Sequence, residues 1–219
     1  MGSESDIAVE NEVGEQPDWE LQIAEFVSSS LTGQEGSDQV GRAVALYYAV
    51  RDGFKYDPFD IRIDFADQHP GEILAKGKGH CIDKALFLVS CLRTIDIPAR
   101  LGLAKVRNHI GTARLEQLLR TDVLVPHGYT DVFLEGRWFK CTPAFNKELC
   151  EKLKVHPLEW DGRSDSMFQE DNRDGGRFME YLEDYGSFEQ VPEAFIVSLF
   201  KREYPHQFDA EGKFLPLAV

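Results

Sequence analysis

Residues 76–94 read KGKGHCIDKALFLVSCLRT, a glycine-rich turn that runs directly into an apolar segment. Gly77 and Gly79 interrupt regular structure before that segment begins. From Cys81 to Thr94 the apolar residues lie nearly all round a helical wheel, which is typical of a helix that is buried on every side. The sequence therefore predicts that a flexible turn delivers a cysteine to the first turn of a buried helix.

The start of a helix is a favourable place for a reactive thiol. Free backbone N–H groups and the positive end of the helix dipole favour thiolate over thiol, and cysteines at helix starts or beside histidine have pKa values lowered to about 3.5–7.5. A thiol nucleophile also needs a base, and His127 lies on a later predicted strand that can reach the helix start. His80 is the competing base, but as the neighbour of Cys81 it is expected to point elsewhere, as an exposed or supporting residue. The alternative for Cys81 is a plain core residue, because free cysteine is among the most buried residue types.

The other three cysteines carry no comparable signal. The four cysteines lack a repeated C-x-x-C spacing and are too sparse for a disulfide scaffold, so reduced thiols are expected. Cys91 is expected in the core, and Cys141 and Cys150 as core or surface filler. The spacing along the chain does not match a zinc site for the candidate ligands, which are His80, Cys81, Cys141, Cys150 and His156. The acidic tract 161–174 lacks the calcium-loop pattern, so we expect neither a metal nor a cofactor.

Composition narrows the class of protein. The chain has 219 residues, of which 42% are apolar and 28% charged, as in an ordinary globular protein. It has 24 Lys and Arg against 38 Asp and Glu, a formal charge of −14 that repels nucleic-acid backbones and acidic membranes. The sequence has neither a long apolar run nor a basic, apolar leader. These features predict a soluble, cytoplasmic protein whose partners are neither nucleic acid nor membrane.

Hydrophobic periodicity and chain breakers predict an α+β domain. Residues 1–18 hold acidic residues but no lysine or arginine, and we expect a disordered acidic leader there. Residues 19–219 are expected to form a single domain with its core at about 40–146 and a C-terminal helical extension. Residues 59–79 are predicted to be a loop. Helices are predicted at 19–33, 37–53, 81–94, 115–119, 147–153, 177–184 and 192–202, and strands at 100–106, 123–134 and 137–142.

The last two strands form the clearest predicted hairpin. Both are rich in β-branched and aromatic side chains, and the Glu-Gly dipeptide at 135–136 suits a two-residue turn in which the flanking residues pair. Continued along the strands, that register places Tyr129 opposite Thr142 and His127 opposite Ala144.

Two motifs in this order carry a family resemblance. Residues 77–88, GKGHCIDKALFL, followed by LR at 92–93 and IPAR at 97–100, resemble the cysteine motif of the transglutaminase-like superfamily. Residues 127–138, HGYTDVFLEGRW, are similar to that family's histidine strand with its turn and the tryptophan that follows. The resemblance covers about residues 40–146.

The resemblance implies a papain-like fold and a Cys-His-Asp triad that forms an acyl group on sulfur and passes it to water or an amine. Cys81 then becomes the nucleophile and His127 the general base. Thr142 occupies the family's aspartate position, and a hydroxyl can accept a hydrogen bond from imidazole but brings no charge to stabilise imidazolium, so activity is expected to be weaker or absent. Asp131 is a poor substitute, since it lies about 13 Å along the strand from His127. Asn146 could orient the ring, although a loop-capping role is favoured.

The oxyanion hole and the substrate are less defined. The Cys81 backbone N–H is one expected donor, and Gln68, His69 and Lys78 are weak candidates for a second. Asp83 is expected to stabilise the helix start. We expect a thiol enzyme that acts on a peptide or protein amide, with hydrolysis favoured over cross-linking; the alternative is a binding or scaffold protein that keeps the fold but has lost turnover. The oligomeric state stays open.

Overall fold

The computed structural model describes residues 18–63, 68–109 and 113–215. All of the predicted acidic leader except Asp18 lies outside the described residues. The helices are α1 (Trp19–Ser30), α2 (Gln39–Gly53), α3 (Glu72–Lys76), α4 (Cys81–Thr94), α5 (Ala113–Leu119), α6 (Lys147–Leu153) and α7 (Glu193–Glu203), and a 3-10 turn spans Pro205–Gln207. The strands are β1 (Lys55–Tyr56), β2 (Lys78–Gly79), β3 (Ala99–Asn108), β4 (Val123–Leu134), β5 (Arg137–Cys141) and β6 (Met179–Phe188).

Side-chain caps fix where the first helices begin. The carboxylate of Asp18 accepts a hydrogen bond from the Leu21 N–H, and that of Asp38 accepts one from the Gly41 N–H. These bonds satisfy backbone donors that have no partner within the helix. The predictions of both helices, and of the helix at Cys81–Thr94, are confirmed.

One antiparallel sheet forms the centre of the fold, with strand order β5-β4-β3-β6. α4 packs against β4 and β3, and α1 and α2 pack against α4. The core residues of α4 are shared between two apolar clusters, one around α1 and α2 and the other around α7 and the opposite end of the sheet. The expected arrangement, a buried helix beginning at the cysteine and packed on an antiparallel sheet, is confirmed.

The helix predicted at 177–184 is wrong, because those residues lie largely in β6, which pairs with the free edge of β3. Pairing with a partner strand that is distant in sequence outweighs the local helical spacing. The C-terminal part of the chain therefore completes the central sheet and is more than a helical extension. Within the loop predicted at 59–79, the structure contains the short α3 and β2.

The hairpin register is confirmed next to the turn but stops early. The residues that flank the turn pair as expected, and the ladder ends at Thr130 and Cys141. Thr142 donates its N–H to Ser166 instead, and Pro143 has no N–H to continue the ladder. His127 lies beyond the end of this ladder and does not pair with Ala144; on its other side it pairs with Ala104 of β3. Within the part of the chain that the structure describes, no helix is long and apolar enough to cross a membrane.

Candidate active site

His80 and Asp83 hold the start of α4 in a reciprocal cap. The Asp83 N–H donates to His80 Nδ1 over 3.1 Å, and the His80 N–H donates to Asp83 Oδ2 over 3.0 Å. His80 is 5% exposed, so it is a buried supporting residue and not an exposed one. Since the Nδ1 lone pair accepts a hydrogen bond, a neutral His80 carries its proton on Nε2. The structure thus gives Asp83 the role at the helix start that the sequence predicted.

The Cys81 thiol is buried at the first position of α4. Burial raises its pKa, hydrogen bonds from the N–H groups of Gly128, Ile82 and Cys81 itself lower it, and the negative Asp83 raises it, with a net value of about 11. Burial therefore outweighs the helix start, and the expected low pKa is not found. At neutral pH the resting side chain is a thiol.

His127 is brought to α4 by the backbone of β4. A Cβ on Gly128, the next residue, would lie 2.8 Å from Ile82 Cα, so only glycine allows the strand to approach the helix start this closely. Burial, and then the charge of the nearby His80, lowers the pKa of His127 to about 4. His127 is therefore neutral at physiological pH. Among the described residues, neither of its ring nitrogens has a hydrogen-bond partner.

Thr142 and His127 lie at the same small cavity, which has a volume of about 10 Å³. The Thr142 Oγ1 is buried and forms no hydrogen bond with any residue that the structure describes. The Cys81 thiol opens instead into a cavity of about 40 Å³ that it shares with His80, Tyr56 and Tyr204. His127 and Thr142 thus line one cavity, and Cys81 and His80 line another.

The two substitutes for the missing aspartate are engaged elsewhere. Asp131 is buried and pairs with Arg100 on β3, with Oδ2 2.6 Å from the guanidinium. Asn146 precedes α6, and its side-chain oxygen accepts the Tyr56 N–H over 3.2 Å. Asn146 thus ties β1 to the segment after β5 and does not hold the His127 ring.

The three candidates for a second oxyanion donor do not line the cavity that contains the Cys81 thiol. Gln68, His69 and Lys78 line a separate cavity that Cys81 does not reach. His69 accepts the Gly71 N–H, and Lys78 forms an ion pair of 2.8 Å with Asp57. The buried donor near the thiol is instead His80 Nε2, which has no hydrogen-bond partner among the described residues.

Lys84 is a buried residue that the sequence reasoning missed. Its ammonium group donates to the carbonyl oxygens of Arg51, Phe54 and Ala144, each at 2.8 Å. Burial lowers the pKa of Lys84 to about 7. The three bonds join the end of α2 and the segment after β5 to α4, one turn beyond Cys81. The available signal in the sequence was a lysine within the mostly apolar first half of α4.

The remaining cysteines are buried, and all four cysteines are free thiols. Cys91 packs in the cluster around α1 and α2 together with Cys141, whereas Cys150 packs in the other cluster. Across the described ranges, no group of three or more histidine, cysteine or acidic side chains is arranged to hold a metal ion.

Comparisons with known proteins give one family match. A family model described as the transglutaminase-like superfamily matches residues 26–143. No curated protein matches the chain.

Three solved structures are similar to the chain at low identity. One is a protein proposed to be a cysteine protease from Cytophaga hutchinsonii, with 14% identity and a TM-score of 0.39, covering 59% of this chain and 40% of that one. A TGase gives 14% identity and a TM-score of 0.41, covering 59% and 33%. A protein proposed to be a protease from Parabacteroides distasonis gives 12% identity and a TM-score of 0.37, covering 54% and 23%. The chain therefore spans less than half the length of these three proteins.

Proposed function

The chain belongs to the transglutaminase-like superfamily and has its papain-like fold, and on that premise we propose that it is a thiol enzyme that cleaves a peptide or protein amide. One observation carries the proposal: Cys81 is the first residue of the buried helix α4, where the backbone N–H groups of Gly128, Ile82 and Cys81 act to lower the thiol pKa against the effect of burial. Such groups stabilise negative charge on sulfur when the thiol loses its proton. We assign Cys81 as nucleophile and His127 as general base.

In the first step, the Cys81 sulfur attacks the amide carbonyl carbon while His127 takes the thiol proton. A carbon–sulfur bond forms, and the carbonyl electrons move to oxygen, which the Cys81 N–H stabilises. The carbon–nitrogen bond then breaks, and His127 returns the proton to the departing amine. Because the resting thiol and imidazole are both neutral, the proton moves only as the sulfur attacks.

In the second step, water attacks the thioester carbon and His127 accepts a proton from it. The carbon–sulfur bond breaks, the thiol regains its proton, and the products are a carboxylic acid and an amine. Hydrolysis is favoured over transfer to a second amine, because no motif in the sequence indicates an amine site. Thr142 brings no charge to stabilise the imidazolium, and its hydroxyl forms no hydrogen bond with His127, so turnover is expected to be slow.

The free thiols at positions 81, 91, 141 and 150 support a reducing, cytoplasmic compartment as part of this proposal.

A second candidate function has its own supporting observation. Neither the His127 nitrogens nor the Thr142 hydroxyl is hydrogen bonded within the described part of the chain, and the burial that keeps Cys81 and His127 neutral opposes catalysis. A binding protein that keeps the fold without turnover accounts for these features.

Product release decides between the two functions. The protein is incubated with a mixture of peptides, and new amines, ammonia and new carboxylates are measured with and without an added fluorescent primary amine. Hydrolysis predicts new carboxylates that disappear in the Cys81→Ala and His127→Ala variants but persist in His156→Ala, which changes an exposed histidine. Incorporation of the fluorescent amine would show transfer instead. Binding of peptides without any product would support the scaffold alternative.

A further inference from the structure

A second, larger cavity lies next to the one that holds the thiol. Its volume is about 400 Å³, ten times that of the Cys81 cavity. Tyr56, Pro58 and Leu115 line both cavities, so the two are neighbours that share a wall. A substrate whose amide lies at Cys81 has this larger space within reach of its next groups.

Tyr56 is one of the residues in the shared wall, and both its backbone and its ring have contacts that hold it in place. Its backbone N–H is bound by Asn146, and its ring meets Phe145 edge to face with 4.7 Å between ring centroids. The Cys81 thiol is close enough to Tyr56 to contribute to its raised pKa, after burial. An occupant of the large cavity would therefore be positioned by a rigid aromatic side chain next to the nucleophile.

The walls of the large cavity are mostly apolar. They include Phe59, Phe145, Leu149 and Leu153, in addition to the shared residues. Cavities of about 300–1,000 Å³ with such walls are typical of small-ligand sites. The volume and lining suit a bulky aromatic or aliphatic side chain.

Arg114 adds a positive charge at this cavity. Its guanidinium lies over the Phe59 ring at 5.0 Å from the centroid and forms no ion pair with any residue that the structure describes. The acidic lining residue, Asp57, is already neutralised by Lys78 at 2.8 Å. The net charge of −14 opposes an anion at long range, but exposed charges beyond about 8 Å are largely screened at physiological salt. A carboxylate beside Arg114 is therefore the complementary group.

We propose that this cavity binds the acyl side of the substrate: a bulky apolar side chain enters it, and a carboxylate near that side chain pairs with Arg114. The proposal rests on the proposed function and names its substrate class. It predicts that Cys81 cleaves the amide bond on the carboxyl side of a large apolar residue. An acidic group is attached to that residue or precedes it in the substrate.

Binding is measured without turnover in the Cys81→Ser variant, by calorimetry with N-succinyl-phenylalanine amide. N-acetyl-phenylalanine amide lacks the carboxylate and so tests its contribution to binding. N-succinyl-alanine amide lacks the phenyl ring and so tests the contribution of the apolar side chain. The phenylalanine compound should bind about 10-fold or more tightly than the alanine one, since a buried phenyl group contributes most of the affinity. Arg114→Gln in the same background should reduce the preference for succinyl over acetyl by about 2- to 5-fold.

A second variant tests the location. Leu149→Trp places a larger ring at the cavity and should weaken binding of the phenylalanine compound, while Leu74→Trp, a half-buried leucine on α3 outside the cavity, should leave it unchanged. Circular dichroism confirms that both variants are folded. Equal affinity for phenylalanine and alanine compounds, or affinity that is insensitive to both Arg114→Gln and Leu149→Trp, would overturn the proposal. Selective binding with no cleavage by the wild-type protein would instead preserve the cavity assignment and overturn the enzymatic function.

Discussion

At the scale of single residues, two opposing influences act on Cys81. Three backbone N–H groups favour the thiolate, whereas burial favours the thiol and dominates. The same burial keeps His127 neutral. The candidate site is therefore closer to the neutral serine–histidine pairs of hydrolases than to a preformed thiolate–imidazolium ion pair.

This neutral state predicts how Cys81 reacts with iodoacetamide. Because the pKa of the thiol is raised to about 11, the thiolate fraction and the alkylation rate should keep rising between pH 6 and 10. Mass spectrometry of the Cys81 peptide measures this rate. A plateau that begins below pH 8.5, and that is lost in His127→Ala, would instead show a preformed ion pair.

Thr142→Asp supplies the carboxylate that the family pattern places beside the histidine. The new charge should raise the pKa of His127 and stabilise the imidazolium formed during attack, so kcat should increase about 10-fold or more. The pH profile of kcat and the unfolding temperature are measured together, because the cavity that receives the carboxylate is small. Thr142→Val is the matched control; it removes a hydroxyl that has no hydrogen-bond partner among the described residues and should leave kcat nearly unchanged. Unchanged kcat in a folded Thr142→Asp protein contradicts the role given to this position.

At the scale of helices and strands, the start of α4 depends on its cap. His80→Ala removes the side-chain acceptor for the Asp83 N–H and should reduce the free energy of unfolding by about 1 kcal/mol. His80→Asn keeps an acceptor at the same place and should retain most of that stability. Urea denaturation of the two variants measures the difference. Equal stability would show that the cap contributes nothing.

Lys84 joins three elements through one buried ammonium group. Lys84→Met leaves three carbonyl oxygens without their donor, and we expect a loss of about 2–4 kcal/mol in the free energy of unfolding. Lys152→Met, which changes an exposed lysine of α6, is the control and should have little effect. The comparison is made by urea denaturation at pH 7. A small effect of Lys84→Met would mean that the carbonyl groups find other donors.

The sequence pattern predicted those helices and strands that form through contacts between residues close in sequence. The all-round apolar pattern predicted α4, and the Glu-Gly turn predicted the hairpin and its register next to the turn. β6 could not be predicted in the same way, because its partner β3 lies about 80 residues earlier. The contacts of Lys84 depend on three separate segments, and burial of the thiol depends on the assembled core. Sequence patterns show neither of these directly.

At the scale of the whole molecule, stability should depend on paired carboxylates. Burial raises the pKa of Asp52, Asp57 and Asp184, but hydrogen bonds from Arg51, Lys78 and Lys140 respectively lower each below its ordinary value overall. The folded-state pKa values are therefore lower than those in the unfolded chain. Their contribution is fully present above about pH 4–5 and is lost as the pH falls through the folded values.

We therefore expect the contribution of these carboxylates to the free energy of unfolding to be nearly constant between about pH 5 and 7. At pH values below about 4 that contribution should decrease. Urea denaturation at a series of pH values tests this, and the Asp57→Asn variant should show a smaller decrease on acidification than the wild type. A decrease of equal size in the variant would indicate that this ion pair is not involved.

The position of β6 matters for anyone who shortens this chain. The family match ends at residue 143, whereas the strand that covers the outer edge of β3 spans Met179–Phe188. A protein cut soon after the match would leave the β6-facing edge of β3, along the eight residues Leu101–Asn108, without its partner strand. Open edges of that kind pair with other chains and lead to aggregation. Insolubility of such a fragment would thus report a missing strand and not a defect in the catalytic motifs.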